Sequence, residues 1–478
     1  MKTPPVIPSR RRGITSGRTA WLALCATLAA ASVPAQQPVQ KEQPPAPGTP
    51  KDFRVPPRRT FSLPNGMQVT MVRFGRVPKV AVELEVRTGM IDQGPDDVGL
   101  AAVVADMLLE GTTTRTAQDI SRQAAEMGGA VSATPGAEVV AIGGEVLSDF
   151  AANMVTLVAD VARNPRFDEA DLERTIDKHV RDNAVQLAQP GTLAQKKFRE
   201  IMYANHPFAR LFASEAMLRS FTVDRVRGFH GRNFGARRAH LYVSGVYDAA
   251  AVERAIREAF EAWEAGAPPT EQPPVITAKR QLEVVDRANS VQSSIWMGLP
   301  VADPSNPDWV KMNVTDALLG GTFGSRITSN IREDKGYTYS PGSFIWTRKK
   351  ASMWVEVADV TSNVTGASLT EIFNEIDRIR TEAPPASELT GVKNILAGVF
   401  TVQNSSRYGL INQLQFVDMH GLGEDYVTNY VKNIHAVTPE EVRATAERHL
   451  DPQKISIAIV GNKREIDRQL GEVKAIKP

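Results

Sequence analysis

The chain has 478 residues, of which 42% are hydrophobic and 23% are charged, a balance typical of globular proteins with room for two or three domains. Its 56 basic and 54 acidic residues leave a formal net charge of +2. Five of the bases and none of the acids lie in the first 35 residues, so the remainder carries 51 − 54 = −3. A nearly neutral chain gives no electrostatic basis for nucleic-acid binding, and we expect no nucleic-acid partner.

Residues 1–35 have the pattern of an export signal. Basic residues between Arg10 and Arg18 precede an apolar run from Trp21 to Ala31, and Val33-Pro34-Ala35 is a small-residue cleavage pattern. The apolar run is shorter than the ~20 residues that span a bilayer, so we expect no permanent membrane span. The pattern predicts cleavage near Ala35 and a periplasmic protein, with either the general or the twin-arginine export route. The only cysteine, Cys25, lies inside this segment, so the mature chain has no thiol chemistry.

Two Pro-rich segments divide the rest of the chain. Residues 36–58 are rich in Pro and Gln and predict an extended tether, and residues 265–280 predict a linker. Between and after them lie two segments, 59–264 and 281–478, each within the usual size range of a domain.

The two segments resemble each other. Ala105–Thr112 matches Thr315–Thr322, with Asp106 opposite Asp316, an offset of 316 − 106 = 210 residues. A second set of matches has an offset of 216 and pairs Thr222, Val226 and Gly245 with Thr438, Val442 and Gly461. Two sets of matches in the same order predict a duplicated domain.

Strand and helix patterns alternate within each segment. Val80–Val86 alternates like a strand, and apolar residues from Leu100 to Leu108 recur at helical spacing until Gly111, where we expect the helix to stop. His240–Gly245 and Ile455–Gly461 predict buried closing strands. Each segment is therefore predicted to be an α/β or α+β domain.

The helix between Gly99 and Thr112 resembles a known metal-binding helix. In zinc peptidases of the pitrilysin/insulinase type (the M16 family), an H-x-x-E-H motif lies between the same Gly-Leu-Ala and Met-Leu flanks. Its two histidines hold zinc and its glutamate activates water. The three positions here are Ala102, Ala105 and Asp106. Alanine can neither bind a metal nor accept a proton, so the resemblance implies a degenerate metal site.

The third zinc ligand of the family is a glutamate on a later helix, and it aligns near Val180. We interpret the neighbouring His179 as a surface or packing residue, and Asp106 and Glu110 as ordinary polar positions. No other histidine lies in an H-x-x-x-H pair. We therefore expect no metal or other cofactor in this chain.

The resemblance extends over nearly the whole mature chain. Phe61–Met67 is similar to the family's first strand and turn, and His206-Pro207-Phe208 is similar to its His-Pro-aromatic segment. The resemblance implies two homologous domains, each a mixed, mostly antiparallel sheet packed with helices, that form half of a clam-shell chamber.

A second motif of the family is complete. Gly320–Ile327 leads into Asn330–Tyr339, which resembles the family's arginine followed seven residues later by a tyrosine, here Arg332 and Tyr339. The resemblance implies that the arginine binds substrate main chain and that the tyrosine hydroxyl donates to the oxyanion. It also implies a substrate-contacting turn at Gly320, Gly321 and Gly324. The simpler alternative is that Arg332 and Tyr339 only pack and pair with Glu333 or Asp334.

A lost metal motif beside a complete Arg/Tyr motif predicts a division of labour between two chains. In some bacterial members of the family one chain carries the zinc motif and its partner carries the Arg/Tyr pair. We expect this chain to be the substrate-binding subunit of a periplasmic heteromeric zinc endopeptidase, with a zinc-bearing paralogous subunit as partner and unfolded peptides as substrates. The alternatives are a non-catalytic scaffold, like the respiratory-complex core subunits of this fold, and an autonomous peptidase with unconventional ligands.

Overall fold

The computed structural model describes residues 54–269, 271–423 and 425–476. The predicted signal peptide with its cleavage position near Ala35, and residues 36–53 of the predicted tether, lie outside the described residues. Within the described ranges, no helix combines the length and the apolar character needed to cross a membrane.

Two β-sheets, one in each half of the chain, organise the molecule. The first contains β1 (Arg58–Ser62), β2 (Gln68–Arg73), β3 (Lys79–Val86), β4 (Ser132–Pro135), β5 (Val140–Leu147) and β6 (Ala239–Gly245), in the order β1-β2-β6-β3-β5-β4. The second contains β7 (Leu282–Asp286), β8 (Gln292–Val301), β9 (Gly342–Arg348), β10 (Ala351–Thr361) and β11 (Ser456–Gly461), in the order β7-β11-β8-β10-β9.

The two sheets share one topology. When β1 is set aside, the strand orders match position by position, and the single parallel pair of each sheet (β2/β6 and β7/β11) falls at the same place. All other pairs are antiparallel. The predicted fold class, two homologous domains with mixed and mostly antiparallel sheets, is confirmed.

Helices connect the strands in both halves. The first half contains α1 (Leu100–Met107), α2 (Ala117–Glu126), α3 (Ala151–Arg163), α4 (Glu169–Leu187), α5 (Pro190–Tyr203), α6 (Glu215–Arg219), α7 (Val223–Asn233) and α8 (Ala249–Phe260). The second contains α9 (Trp309–Asp316), α10 (Arg326–Thr328), α11 (Thr365–Thr381), α12 (Ala386–Gln403), α13 (Arg407–His420), α14 (Asp425–Ala436), α15 (Pro439–His449) and α16 (Lys463–Leu470).

The matched residues of the two halves occupy equivalent places. The Thr222 hydroxyl caps α7 by accepting from the amide of Arg225, and the Thr438 hydroxyl caps α15 by accepting from the amide of Glu441. Such caps satisfy amides that a helix start leaves without partners. Val226 and Val442 are fully buried, and Gly245 and Gly461 end β6 and β11.

One predicted boundary is wrong. The helix that was expected to run to Gly111 ends at Met107. The amides of Leu109 and Glu110 donate to the carbonyls three residues earlier, at 3.2 Å in both cases, so the chain tightens into a turn. Gly111 follows that turn with a φ of 144°, a conformation that favours glycine.

Each half has its own hydrophobic core. In the first half, Val80, Val82, Leu84 and Val86 of β3 alternate toward one face, where they join buried residues of α1 and α3. In the second half, Ile295, Met297 and Leu299 of β8 do the same beneath α9 and α11.

The opposite face of each sheet is covered by a helix from the other half. Phe198 and Met202 of α5 pack on Met353 and Val355 of the second sheet. In return, α13 packs on β3 and β6 of the first sheet, and its contact residues are Leu410, Ile411 and Leu414. The halves therefore complete each other's sheets, and residues far apart in the chain are brought to common cavities.

Candidate functional site

The metal positions of the first half lie on α1. Ala105 is fully buried in the first core, and half-buried Ala102 lines a cavity of about 270 Å³. The carboxylate of Asp106 accepts a hydrogen bond from Lys178 Nζ at 2.7 Å, and His179 Nε2 lies 3.2 Å from the same oxygen. Val180 packs against the first core. The position that carries the second histidine of the motif is thus joined to α4 by an ion pair.

The surroundings of Asp106 keep it charged. Burial raises the pKa of this carboxyl, but hydrogen bonds from His179 and Lys178 outweigh burial and leave its pKa below the usual value. One turn along, Glu110 pairs with Arg174 at 3.1 Å, which extends the ionic contact between α1 and α4.

Zinc does not fit at this place. Two of the three motif positions are alanines, and an ammonium group already neutralises the third. In the described ranges as a whole, no three His, Cys, Asp or Glu side chains gather as a metal would require. No step of a reaction is therefore assigned to a metal held by α1.

The second candidate element includes two π-helical segments: Ala317–Gly321 contains Gly320 and Gly321, and Ser329–Asp334 contains Arg332. Such wide turns are rare and often occur at functional sites. Between and after them a cavity of about 330 Å³ opens to solvent. Its lining is Gly320, Gly321, Thr322, Phe323, Thr328, Arg332, Tyr339, Ser340, Pro341, Gly342 and Ser343. The structure therefore brings Arg332, Tyr339, Gly320 and Gly321 together, whereas exposed Gly324 is not among the lining residues.

Arg332 is held by aromatic rings. Its guanidinium carbon lies 4.3 Å from the ring centre of Phe323 and 5.2 Å from that of Tyr339, and one of its nitrogens lies 2.9 Å from a Glu333 oxygen. Phe323 and Tyr339 are 73% and 80% exposed, which is unusual for large aromatic side chains. The pairing with Glu333 and the shared cavity coexist, so the ion pair does not remove Arg332 from the site.

Two buried carboxyl groups lie beneath this cavity, and neither was predicted as a site residue. Asp316, the counterpart of Asp106, accepts a hydrogen bond from Ser343 Oγ at 2.6 Å. Burial raises the pKa of Asp316 to about 6, although the hydrogen bond from Ser343 and the nearby Trp354 side chain oppose the shift. Burial, and then the charge of Asp316, raise the pKa of Glu356 well above its ordinary value. Neither Glu356 oxygen has a hydrogen-bond partner of good geometry in the described ranges.

The glycine turn lies directly over this acid pair. A Cβ atom at Gly320 would stand 2.5 Å from Ser343 Oγ and 2.7 Å from Glu356 Oε2, closer than real contacts allow. A Cβ atom at Gly321 would stand 2.7 Å from Asp316 Oδ2. Glycine is therefore required here because the backbone approaches the carboxyl groups closely. The match of Asp316 to Asp106 was the one sequence signal for the pair, and Glu356 gave none.

Comparisons with known proteins identify the family of the chain. The model of the insulinase family (peptidase family M16) matches residues 72–214, and the model of the peptidase M16 inactive domain matches residues 220–396. The chain belongs to the M16 peptidase family. The predicted resemblance is thereby confirmed, and the half that contains Arg332 and Tyr339 is the one matched by the inactive-domain model.

Relatives of this M16 protein span most of its length. An uncharacterized zinc protease of Mycobacterium tuberculosis is 26% identical over 433 residues, which cover 87% of this chain and 96% of the relative. An uncharacterized zinc protease of Bacillus subtilis is 22% identical, with coverage of 84% and 98%.

Two solved structures share the fold. A peptidase M16 inactive domain from Pseudomonas fluorescens superposes with a TM-score of 0.76 at 22% identity, with coverage of 84% of this chain and 98% of that one. A protease from Helicobacter pylori has a TM-score of 0.80 at 15% identity and coverage of 85% and 100%.

Proposed function

We propose that this M16 protein is the substrate-binding subunit of a periplasmic heteromeric zinc endopeptidase that acts on unfolded peptides. The observation that carries the proposal is a contrast between two sites. Arg332 and Tyr339 share an open cavity, whereas the metal positions of α1 hold two alanines and an ion-paired aspartate. A chain with only the first of these sites needs a second chain to supply zinc.

Arg332 supplies the binding chemistry of the cavity. Its guanidinium presents a rigid fork of N–H donors suited to carbonyl and carboxylate oxygens. The rings of Phe323 and Tyr339 hold the plane of that fork, so less side-chain freedom is lost when a peptide binds.

Tyr339 supplies a hydrogen-bond donor that is exposed to solvent. Because its side chain is 80% exposed, its hydroxyl is free to meet a peptide bound to a partner subunit. In the tetrahedral intermediate of peptide hydrolysis, that hydroxyl donates to the oxyanion. One such donor is worth roughly 2.7–4 kcal/mol in the transition state.

The cellular location and the partner follow from the same proposal. The basic and apolar leader directs export to the periplasm, and the partner is a paralogous subunit that carries the complete H-x-x-E-H motif. This chain on its own is expected to hold no stoichiometric zinc, and elemental analysis of the purified chain checks that expectation.

Reconstitution with a zinc-bearing paralogue tests the function. The mixture is expected to hydrolyse peptides well above the rate of the paralogue alone. Tyr339→Phe is expected to reduce turnover by ~10²–10³-fold without loss of association, because it deletes one oxyanion donor. Tyr337→Phe is the matched control: it makes the same change two residues away, at a ring that packs on the second core.

Arg332→Ala separates substrate binding from turnover. If the guanidinium binds the peptide equally in the ground and transition states, KM rises while kcat changes little. If the Tyr339→Phe and Arg332→Ala complexes both assemble and cleave like the unmodified complex, the proposal is wrong and a scaffold role takes its place.

A further inference from the structure

Three arginines converge on a cavity that the Arg/Tyr site does not use. Arg199 of α5, Arg210 and Arg348, the last residue of β9, line the cavity of about 270 Å³ beside α1. Gly99 and Ala102 form part of its wall. Throughout the described ranges, none of the three guanidinium groups has a carboxylate within 4 Å, whereas about half of the arginines in those ranges do.

The three side chains are held by uncharged groups. Arg199 Nε donates to the Phe208 carbonyl at 2.7 Å, and Arg348 donates to the Thr347 carbonyl at 2.7 Å. Arg210 donates to two carbonyls at 3.1 Å, those of Asn205 and Gln93. The Nε atoms of Arg210 and Arg348 are buried and have no hydrogen-bond partner in the described part of the chain.

This arrangement is electrostatically unfavourable without an anion. Burial, and then the charge of Arg348, lower the pKa of Arg199 to about 10. The carboxylate that interacts with Arg348, Glu138, is already bonded by the Lys349 amide. Positive charges grouped without a carboxylate in ion-pair contact, two of them with an unpartnered Nε donor, destabilise a fold unless a ligand balances their charge.

We propose that this arginine cavity binds a carboxylate carried by the peptide substrate, either an acidic side chain or the C-terminal carboxyl group. A guanidinium group matches a carboxylate in two parallel N–H···O bonds, and three such groups line this cavity. The assignment rests on the proposed function for its peptide, and it adds a substrate class: peptides with an acidic group at a set distance from the scissile bond.

Strand β9 connects this cavity to the Arg/Tyr site. Gly342, at its start, lines the cavity of Arg332 and Tyr339, and Arg348, at its end, lines the arginine cavity. Six residue steps at ~3.3 Å place the two about 20 Å apart. A peptide extended along β9 would therefore carry its carboxylate roughly six residues from the residue held at Tyr339.

The path along β9 is lined by aromatic rings. Phe344 and Trp346 lie on one face of the strand, with ring centres 6.3 Å apart, and each ring centre is 6.1 Å from that of Trp296. Trp296 also lines a cavity of about 260 Å³ that shares Ser340 with the Arg/Tyr cavity. The apolar surface lies between the hydrogen-bond donors Arg332 and Tyr339 at one end and the arginine cavity at the other. This arrangement suits an extended peptide better than a small inorganic anion.

Direct binding to this chain alone tests the proposal. Four fluorescein-labelled twelve-residue peptides of one sequence are compared by anisotropy, with Glu or Gln near one end and a free or amidated C-terminus. We expect about 10-fold tighter binding of whichever carboxylate the cavity accepts. If the preference follows Glu, the ligand is a side chain, and if it follows the free terminus, the ligand is the terminus.

Arginine variants localise the effect. Arg348→Gln and Arg210→Gln are each expected to abolish the preference for the carboxylate, and Arg348→Lys to keep part of it. Lys350→Gln is the matched control, because it removes the same charge only two residues from Arg348. The Lys350 side chain is exposed and pairs with Glu271. Circular dichroism confirms that each variant is folded.

The outcomes are distinct from those of the reconstitution experiment. Equal affinity for all four peptides overturns the carboxylate site even where Tyr339→Phe abolishes turnover of the complex. A carboxylate preference that survives Arg348→Gln and Arg210→Gln also overturns it. Inorganic phosphate is also tested at millimolar concentration. If phosphate binds while the four peptides bind with equal affinity, the peptide assignment is overturned.

Discussion

Asp106 and Asp316 occupy the same position of a duplicated domain in opposite surroundings. Asp106 lies at the edge of the first half, where Lys178 and His179 keep its pKa low. Asp316 is buried under a glycine turn, close to the unpaired Glu356, and its pKa is raised to about 6.

The difference indicates which half retains a demanding site. Where the metal positions are lost, ordinary ion pairs between α1 and α4 fill the place. Where the Arg/Tyr cavity remains, the chain keeps two buried acids that a packing role alone would not favour. Costly features of this kind tend to persist at functional sites.

The largest expected effect is a pH-dependent gain in stability on Asp316→Asn. A carboxyl group with a raised folded pKa stabilises the fold fully below its unfolded pKa of 3.8, and that contribution is lost as the pH rises through about 6. The difference of about two pKa units corresponds to roughly 3 kcal/mol. The variant should therefore gain about that much relative to wild type between pH 4 and pH 8, as urea unfolding at each pH would measure.

Glu356→Gln provides a second test of the same contrast and should change stability in the same direction, because it removes a buried carboxyl group whose pKa is raised by burial and by the charge of Asp316. If neither variant gains stability relative to wild type as the pH rises, another group offsets the cost of burying Asp316 and Glu356. The proposed difference between Asp316 and Asp106 would then be wrong.

A smaller effect is expected from Gly320→Ala. The new methyl group would press on Ser343 and Glu356, so unfolding free energy should fall by about 1–3 kcal/mol. Gly324→Ala is the control on the same turn, since a Cβ atom there meets nothing within 4 Å. Equal stability of the two variants would mean that the turn does not rest on the acid pair.

The smallest effect is expected from Asp106→Asn, at most about 1 kcal/mol, because its partner Lys178 is more than half exposed. Because the pKa of Asp106 is lowered, its effect on stability depends on pH in the opposite way to that of Asp316. Its stabilising contribution is present above pH 3.8 and is lost as the pH falls. Thermal unfolding at pH 7 and pH 3 would measure this, and a loss larger at pH 3 than at pH 7 contradicts it.

The sequence predicted what local pattern and repetition encode. The strand at Val80–Val86 follows from alternation, and the duplicated fold follows from matches such as Thr222 with Thr438, which occupy equivalent places in the two halves. The grouping of Arg332 with Tyr339 was predicted by the resemblance to the M16 family, which pairs an arginine with a tyrosine seven residues later.

The missed features depend on residues that are distant in the chain. Glu356 reaches Asp316 only because β10 crosses beneath the glycine turn, and no residue pattern marks that approach. The arginine cavity combines Arg199 with Arg348, which are almost 150 residues apart and meet because α5 packs on the sheet of the other half. The contact of His179 with Asp106 likewise needed the packing of α4 on α1.

The exchange of α5 and α13 between the halves has a consequence for the history of the chain. Either half expressed alone would leave one sheet face bare, including the surface that Met353 and Val355 bury under α5. A second copy of the same half could cover that face with its own equivalent helix, in the manner of a domain-swapped dimer. A single-domain ancestor would thus have been a two-chain assembly, and gene fusion would have made its partner permanent.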